Sequence, residues 1–223
     1  LLPVENSIAG TVNEAYEELI NSGLEIFGEY IKKIVHTLIG LSNSKFEEIT
    51  HVISHPQALQ QCSKFLQDSK LRITPVFDTA GSVFEILETK DINTAAIAGE
   101  HFKNDERFKI LKENISNHQE NFTRFLLIGN EKLESNKENN KYSSVLISDD
   151  KPGSLLKALN IFSDLNINLT KLESRPILGR PWEYKFYIDY ELQNVKTQME
   201  LIDGIKKVSK EFIILGHYPK ANP

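Results

Sequence analysis

Residues 144–174 read Ser-Val-Leu-Ile-Ser-Asp-Asp-Lys-Pro-Gly-Ser-Leu-Leu-Lys-Ala-Leu-Asn-Ile-Phe-Ser-Asp-Leu-Asn-Ile-Asn-Leu-Thr-Lys-Leu-Glu-Ser, and their order of elements decides the fold of the C-terminal third. Ser144 to Ser148 is a short strand, and Pro152-Gly153 makes the turn after it. Ser154 to Leu165 carries its apolar residues at helical spacing, and Ile167 to Ser174 is extended again. Downstream come a strand (Tyr184 to Tyr190), a helix (Val195 to Val208) and a strand (Phe212 to His217). The order is βαββαβ, that of a ferredoxin-like unit. Upstream, residues 130–142 are mostly Asn, Glu, Lys and Ser of both charge signs, the composition of a linker. The sequence thus divides into residues 1–129, a linker over 130–142, and residues 143–223.

Residues 1–129 alternate helix and strand. Val12, Ala15, Tyr16, Leu19 and Ile20 share one helix face, and Leu24 to Gly40 reads as apolar strands. Ile49 to Ile53 is a strand that runs into Ser54-His55-Pro56, where Pro56 suits a first helical turn. Ala58, Leu59, Cys62, Phe65 and Leu66 point inward from that helix. Leu71 to Phe77 is a strand, residues 78–82 are a loop entering a helix through about Leu87, and Thr94 to Ala98 is a strand. The class is α/β, a sheet covered by helices.

The 223 residues carry 26 basic and 31 acidic side chains, a net charge of −5, which leaves no electrostatic surplus for coating nucleic acid or an anionic membrane. A single cysteine, Cys62, cannot close an intrachain disulfide, and no Cys/His cluster has zinc-ligand spacing. The six histidines are scattered, so each reads as structural or solvent-facing. No apolar run reaches transmembrane length. The Lys103 to Glu113 stretch reads as a solvated face.

Four polar signatures sit where strands meet helices or loops, the usual place for a ligand site in an α/β sheet. They are Pro3-Val4-Glu5-Asn6-Ser7, Ser54-His55-Pro56-Gln57-Ala58-Leu59-Gln60-Gln61, Asp78-Thr79-Ala80-Gly81-Ser82, and Asn121-Phe122-Thr123-Arg124-Phe125. Ser54, Gln57 and Gln61, spaced i, i+3 and i+7, would form a polar stripe on one helix; a solvated face capped by Ser54 is the alternative. Thr123 and Arg124 would point to opposite sides of a strand, one toward a pocket and the other toward a carboxylate; two residues that merely decorate a strand start are the alternative, and the one that pattern alone favours. The loop at 78–82 offers backbone N–H groups to an anion, or is an ordinary helix cap. In the last third, Lys151-Pro152-Gly153-Ser154-Leu155 opens a helix and Glu173-Ser174-Arg175-Pro176 closes a strand. Bare N–H groups at one and a carboxylate at the other would suit a zwitterionic amino acid; a β-turn and a surface ion pair are the alternative.

In this order, and with Ala95-Ala96-Ile97-Ala98 between them, these signatures resemble the prephenate dehydratase family followed by its regulatory ACT domain. The resemblance implies a periplasmic-binding-protein-like (type II) catalytic lobe, with substrate in a cleft, followed by a ferredoxin-like βαββαβ ACT domain. It implies conversion of prephenate to phenylpyruvate with loss of CO2 and water, in phenylalanine biosynthesis, with no cofactor and no metal. It makes Thr123 the catalytic residue. Asn6, Ser54, Gln61, Thr79, Ala80, Gly81, Ser82, Arg124 and Phe125 become substrate-binding residues. Gly153, Ser154, Leu155, Leu156, Asn168, Leu169, Glu173, Ser174, Arg175 and Pro176 become effector-binding residues for L-phenylalanine at an interface between ACT domains of a homodimer or homotetramer.

The family's N-terminal Gly-Pro-x-Gly-Thr signature is absent, and the chain opens on Leu1, so the expectation is a form lacking most of the first lobe, weak in turnover yet able to bind phenylalanine. The Gly-Ala-Leu-Val-type effector turn reads Gly153-Ser154-Leu155-Leu156, which keeps the glycine and the apolar positions. The expected location is cytoplasmic, with a plastid left open by the absent start. The competing readings are a non-catalytic amino-acid-binding or sensor module and an inactive truncated form.

Overall fold

The computed structural model describes residues 1–130 and 139–222. The expected linker over 130–142 lies for the most part outside the described residues. The chain divides into two compact units, one formed by Leu1–Lys32 together with Thr123–Pro223, the other by Lys33–Phe122.

The chain starts with β1 (Leu2–Asn6), β2 (Gly10–Thr11), α1 (Asn13–Ser22) and β3 (Glu25–Lys33). It then builds the second unit from β4 (His36–Leu41), β5 (His51–Ser54), α2 (Pro56–Gln61), α3 (Ser63–Ser69), β6 (Arg72–Pro75), α4 (Gly81–Thr89), β7 (Thr94–Gly99) and β8 (Phe108–Lys112). It returns to the first unit with β9 (Phe122–Gly129), β10 (Lys141–Ser148), α5 (Ser154–Asp164), β11 (Asn168–Ile177), β12 (Arg180–Glu191), α6 (Val195–Val208) and β13 (Ser209–Tyr218).

The second unit is a five-stranded sheet in the order β6-β5-β7-β4-β8. β5 runs parallel to β6 and β7, whereas β4 is antiparallel to β7 and β8. Consecutive residues of a strand face opposite sides, and here both sides are covered. Leu38, Val52, Ala95 and Ile97 meet Leu59, Cys62 and Leu66 of the α2–α3 layer, while Ile39, Ile53, Ala96 and Ala98 meet Val83 and Ile86 of α4. That is why all six residues of β4 are buried.

Two local expectations are corrected. The helix from Pro56 is two helices, because the backbone turns out of helical geometry at Cys62 (φ −112°) and α3 starts at Ser63. The Lys103 to Glu113 stretch contains β8, in which Phe108 is buried while Lys109 and Lys112 face outward. Ile110 packs on the α4 side of the sheet and Leu111 on the α2–α3 side, so both faces of this edge strand are covered, and its exposed lysines suit an unpaired edge.

The first unit is an eight-stranded sheet, β11-β12-β10-β13-β3-β9-β1-β2. Its first four strands, with α5 and α6, give the βαββαβ order expected. Helices α5 and α6 bury Ala158, Phe162, Leu201 and Ile205 against Leu146, Ile188 and Tyr190. The other side takes Val145, Tyr187, Leu215 and Tyr218, and continues into Ile26, Leu126 and Val4 under Ala15, Tyr16 and Leu19 of α1. Full burial of a side chain the size of Leu19 stabilises by about 1.5–3 kcal/mol. Continuity of this sheet depends on Gly216, which pairs with Ile26 where β13 meets β3 in parallel. A Cβ on Gly216 would stand 2.3 Å from the Ile26 carbonyl oxygen. The expected segments 1–129 and 143–223 therefore share one sheet.

Candidate active site

β1 and β9 pair antiparallel with Asn6 opposite Thr123. The Asn6 Nδ2 donates to Thr123 Oγ1 at 3.1 Å. Asn6 has no choice of orientation, because its Oδ1 accepts the backbone N–H groups of Ile8 (3.1 Å) and Ala9 (2.9 Å). An Asx turn after β1 thus aims the amide at the threonine. With an oxygen lone pair occupied, Thr123 must send its own proton elsewhere, and among the described residues no acceptor takes it. A donor hydrogen bond also stabilises negative charge building on that oxygen as the proton leaves. The geometry is that of a hydroxyl prepared to donate.

Arg124, on the opposite side of β9, is engaged on every arm. Its Nε donates to Glu29 at 2.6 Å, one terminal nitrogen lies 2.5 Å from Asp189 and 3.5 Å from Glu5, and the other donates to Tyr218 Oη at 2.9 Å. Burial opposes its charge, but Asp189 first, then the Tyr218 and Tyr16 oxygens and Glu29, hold the guanidinium above its ordinary value. One of the two side chains does pair with carboxylates, as the strand alternation requires. The carboxylates belong to the chain, so the arginine that the family resemblance assigns to substrate is here a buried structural cation. Phe125 is half-buried, paired with Pro3 across the strands, its ring centroid 6.5 Å from that of Tyr30.

In the second unit, Gln61 ends α2. Its Oε1 lies 2.7 Å from His36 Nε2 and accepts from Asn121 Nδ2 at 3.0 Å. Two donors on the oxygen turn the Gln61 NH2 group away from both neighbours, and among the described residues no acceptor takes its N–H bonds. Ser54 does not share a stripe with it. Ser54 closes β5, is fully buried, and donates to the Ile97 carbonyl at 2.6 Å. Gln57 is exposed, and the helix is capped by His55, whose Nδ1 accepts the Gln57 N–H at 3.2 Å. The stripe fails because the helix begins two residues after Ser54 and breaks after Gln61.

The 78–82 loop is an N-cap. Asp78 accepts the N–H groups of Ala80 (3.2 Å) and Gly81 (2.7 Å) on its carboxylate and that of Ser82 (3.2 Å) on its carbonyl, while Ser82 Oγ donates to the Thr79 carbonyl at 2.7 Å. The amides that the sequence offered to a ligand are taken by Asp78. Burial pushes the Cys62 thiol up to about 12, so it is an inert core residue.

The family model described as prephenate dehydratase matches residues 1–133. The chain is 38% identical over 222 residues to the prephenate dehydratase of Methanocaldococcus jannaschii, covering 98% of this chain and 80% of that protein. The chain belongs to the prephenate dehydratase family. Among solved structures, prephenate dehydratase from Arthrobacter aurescens in complex with L-Phe superposes with a TM-score of 0.87 at 26% identity, over 99% of this chain and 74% of that one. GqqA, described as a novel type of quorum-quenching acylase, superposes with a TM-score of 0.87 at 27% identity, over 99% of this chain and 81% of that one. The fold is that of the family, an α/β periplasmic-binding-like (type II) lobe followed by a ferredoxin-like unit.

The effector residues that the family resemblance names fall on two sides of the first unit. Gly153, in the left-handed region at φ +81°, opens α5, with Ser154 buried, Leu155 half-buried and Leu156 61% exposed. Asn168 and Leu169 start β11 and line a cavity of about 360 Å³ together with Phe162, Ser163 and Asn166. Glu173 and Arg175 face the α1 side. Glu173 bonds Thr11, Lys171 and Arg175, and although burial opposes it, the Thr11 and Lys171 bonds hold its carboxyl below the ordinary range. Ser174 and Pro176 point to the other side and are exposed.

Residues that the sequence left without a role are His36 and Asn121, which fix Gln61, and Lys171 and Glu5, paired at 3.3 Å. His36 and Gln61 stand 25 positions apart, on a strand and a helix, so no spacing rule links them.

Proposed function

We propose that the chain carries out the decarboxylating dehydration of prephenate to phenylpyruvate. The observation that carries this is the Asn6–Thr123 bond, which leaves a hydroxyl proton for a leaving group. In the reaction the ring carboxylate departs as CO2, its bonding pair forms the new ring double bond, and the ring hydroxyl leaves with a proton as water. Aromaticity drives the step, so alignment and one donor are the main requirements. Thr123 donates to the leaving oxygen as charge builds there, and Asn6 stabilises the threonine oxygen. Gln61 offers its NH2 to a substrate oxygen. Phe125 flanks the substrate beside Thr123, with Ser54 and Arg124 holding β5 and β9 in place and the Ala80, Gly81 and Ser82 amides spent on the Asp78 cap.

The reading extends to regulation and location. Residues 1–129 form the catalytic part and residues 143–223 the ACT domain, which binds L-phenylalanine between copies in a homodimer or homotetramer. The protein acts in the cytoplasm. The superposition on an L-Phe complex supports the effector's identity.

The test is incubation with prephenate, followed by ultraviolet detection of phenylpyruvate in alkali, for the wild type and Thr123→Ala. Phenylpyruvate formed by the wild type and lost in the variant is expected. Phenylalanine binding without turnover would favour the sensor reading, and amide hydrolysis without phenylpyruvate would favour an acylase.

A further inference from the structure

We infer that His36 and Asn121 are positioning residues for Gln61: they hold its amide so that the NH2 group, and not the carbonyl, meets the substrate. The inference rests on the proposed role of Gln61 in substrate binding. Its basis is the direction of two hydrogen bonds. A glutamine oxygen only accepts, so the His36 nitrogen 2.7 Å away carries a proton, and Asn121 Nδ2 at 3.0 Å is a second donor to the same atom. A reversed amide would bring its NH2 against two donors, and that orientation is excluded as long as both neighbours stay as they are.

The imidazole keeps this tautomer for a local reason. His36 Nδ1 is buried with no hydrogen-bond partner among the described residues, so a proton there would be unsatisfied. Protonation of Nδ1 is therefore disfavoured, and the neutral Nε2–H form is the one that fits. Burial lowers the His36 pKa from its ordinary value, and the Gln61 bond only partly opposes the shift.

The surrounding backbone keeps the three groups together. The Asn117 N–H donates to the Gln61 carbonyl at 2.7 Å, Ile115 N–H to the His36 carbonyl at 3.1 Å, and Ile34 N–H to the Asn121 carbonyl at 2.7 Å. His36 is 5% exposed and Asn121 fully buried, whereas Gln61 is half-buried. Only Gln61 of the three reaches a surface where a ligand can sit. An outward NH2 selects an oxygen acceptor, a carboxylate or a hydroxyl, and rejects a donor.

A double-mutant cycle with prephenate as substrate tests this, using His36→Leu, Gln61→Ala and the pair, with His36→Gln as the donor-retaining control. His36→Leu is expected to lower kcat/KM about tenfold, the scale of one well-placed hydrogen bond. The loss should divide between KM and kcat in the same proportion as for Gln61→Ala, vanish in the Gln61→Ala background, and be recovered for the most part in His36→Gln. An undiminished His36→Leu loss in the Gln61→Ala background would overturn the inference and leave the Gln61 reading standing. No effect of Gln61→Ala itself would overturn both. If the His36 variants do not fold, the ¹⁵N shifts of the wild-type imidazole decide: Nε2–H with bare Nδ1 is expected, and an Nδ1–H tautomer overturns the inference.

Discussion

The Arg124 guanidinium lies 2.5 Å from the Asp189 carboxylate, and this buried pair ties β9, the strand that carries Thr123, to β12 of the βαββαβ unit. Ser143 and Tyr218 complete the shell around it, since Ser143 Oγ donates to Asp189 at 2.6 Å and shares a bond with Tyr218 Oη at 2.5 Å. Glu29, fully buried, balances the remaining charge by accepting from both Arg124 and Lys141. Arg124 and Lys141 are thereby matched by Asp189 and Glu29, with Glu5 at the more exposed edge 3.5 Å from Arg124, and such pairing is the condition under which burial of charge is tolerated.

Removing one carboxylate from that set is costly. Asp189→Asn should destabilise the fold by about 3–5 kcal/mol, because Arg124 keeps its charge and loses a partner. Asp189→Leu combined with Arg124→Met should recover much of the loss. Urea unfolding measures both, and equal stability of Asp189→Asn and wild type would show that the pair contributes nothing.

Thr123→Ala should lower kcat by about 10²-fold with a smaller change in KM, the usual cost of losing a positioned proton donor. Thr123→Ser, which keeps the hydroxyl opposite Asn6, should retain a substantial part of the rate. Steady-state kinetics on prephenate separate the two, and an unchanged kcat in the alanine variant removes Thr123 from its role.

Gly216→Ala should break the junction of β13 and β3. The Cβ would meet the Ile26 carbonyl oxygen, a backbone atom that cannot rotate away, so a cost of about 1–3 kcal/mol or more follows from overpacking alone. Amide exchange should rise in β3 and β13 and stay unchanged in β7. Uniform protection across both strands would argue that the backbones slide apart without penalty.

What the sequence conveyed depended on how local the cause was. The βαββαβ order was legible because each element announces itself by period and by turns such as Pro152-Gly153. The Thr123–Arg124 alternation was legible too, since a strand must send neighbours to opposite sides. The Ser54–Gln57–Gln61 stripe failed because a single break at Cys62 and a late helix start undo a spacing argument. Joining β13 to β3 was out of reach, because Gly216 and Ile26 are nearly the length of the chain apart and nothing local marks the pair.

Stability should fall as pH drops from about 7.5 to 5.5, and His36, His51 and His217 are the groups responsible. Burial lowers the pKa of each in the fold, while in the unfolded chain histidine titrates near its ordinary value of about 6.5. Below that value the unfolded chain binds protons that the folded chain refuses, so stability is present above it and is lost on acidification. Depressed carboxyls such as Glu173 act only below this window. Thermal melts across the range should show a falling Tm, with a shallower slope in His36→Gln. A Tm that rises on acidification would reverse the sign and contradict the burial argument.

L-Phenylalanine should bind the chain, and the binding should depend on Gly153 more than the stability does. Gly153 sits at φ +81° with nothing within 4 Å of the point where a Cβ would stand, so Gly153→Ala meets no clash and carries only the left-handed backbone penalty of about 1–2 kcal/mol. The turn can relieve that penalty by rotating out of the left-handed region, which moves the Leu155 N–H that would meet the effector carboxylate, the Ser154 N–H being already donated to the Lys151 carbonyl at 3.1 Å. Calorimetry with L-phenylalanine should therefore detect heat for the wild type and a several-fold weaker affinity for Gly153→Ala, while circular dichroism shows the same fold. Sedimentation should show a larger species when phenylalanine is present if the site lies between copies. Equal affinity of the two proteins would place the effector away from this turn, and no heat from a folded wild type would remove phenylalanine as a ligand.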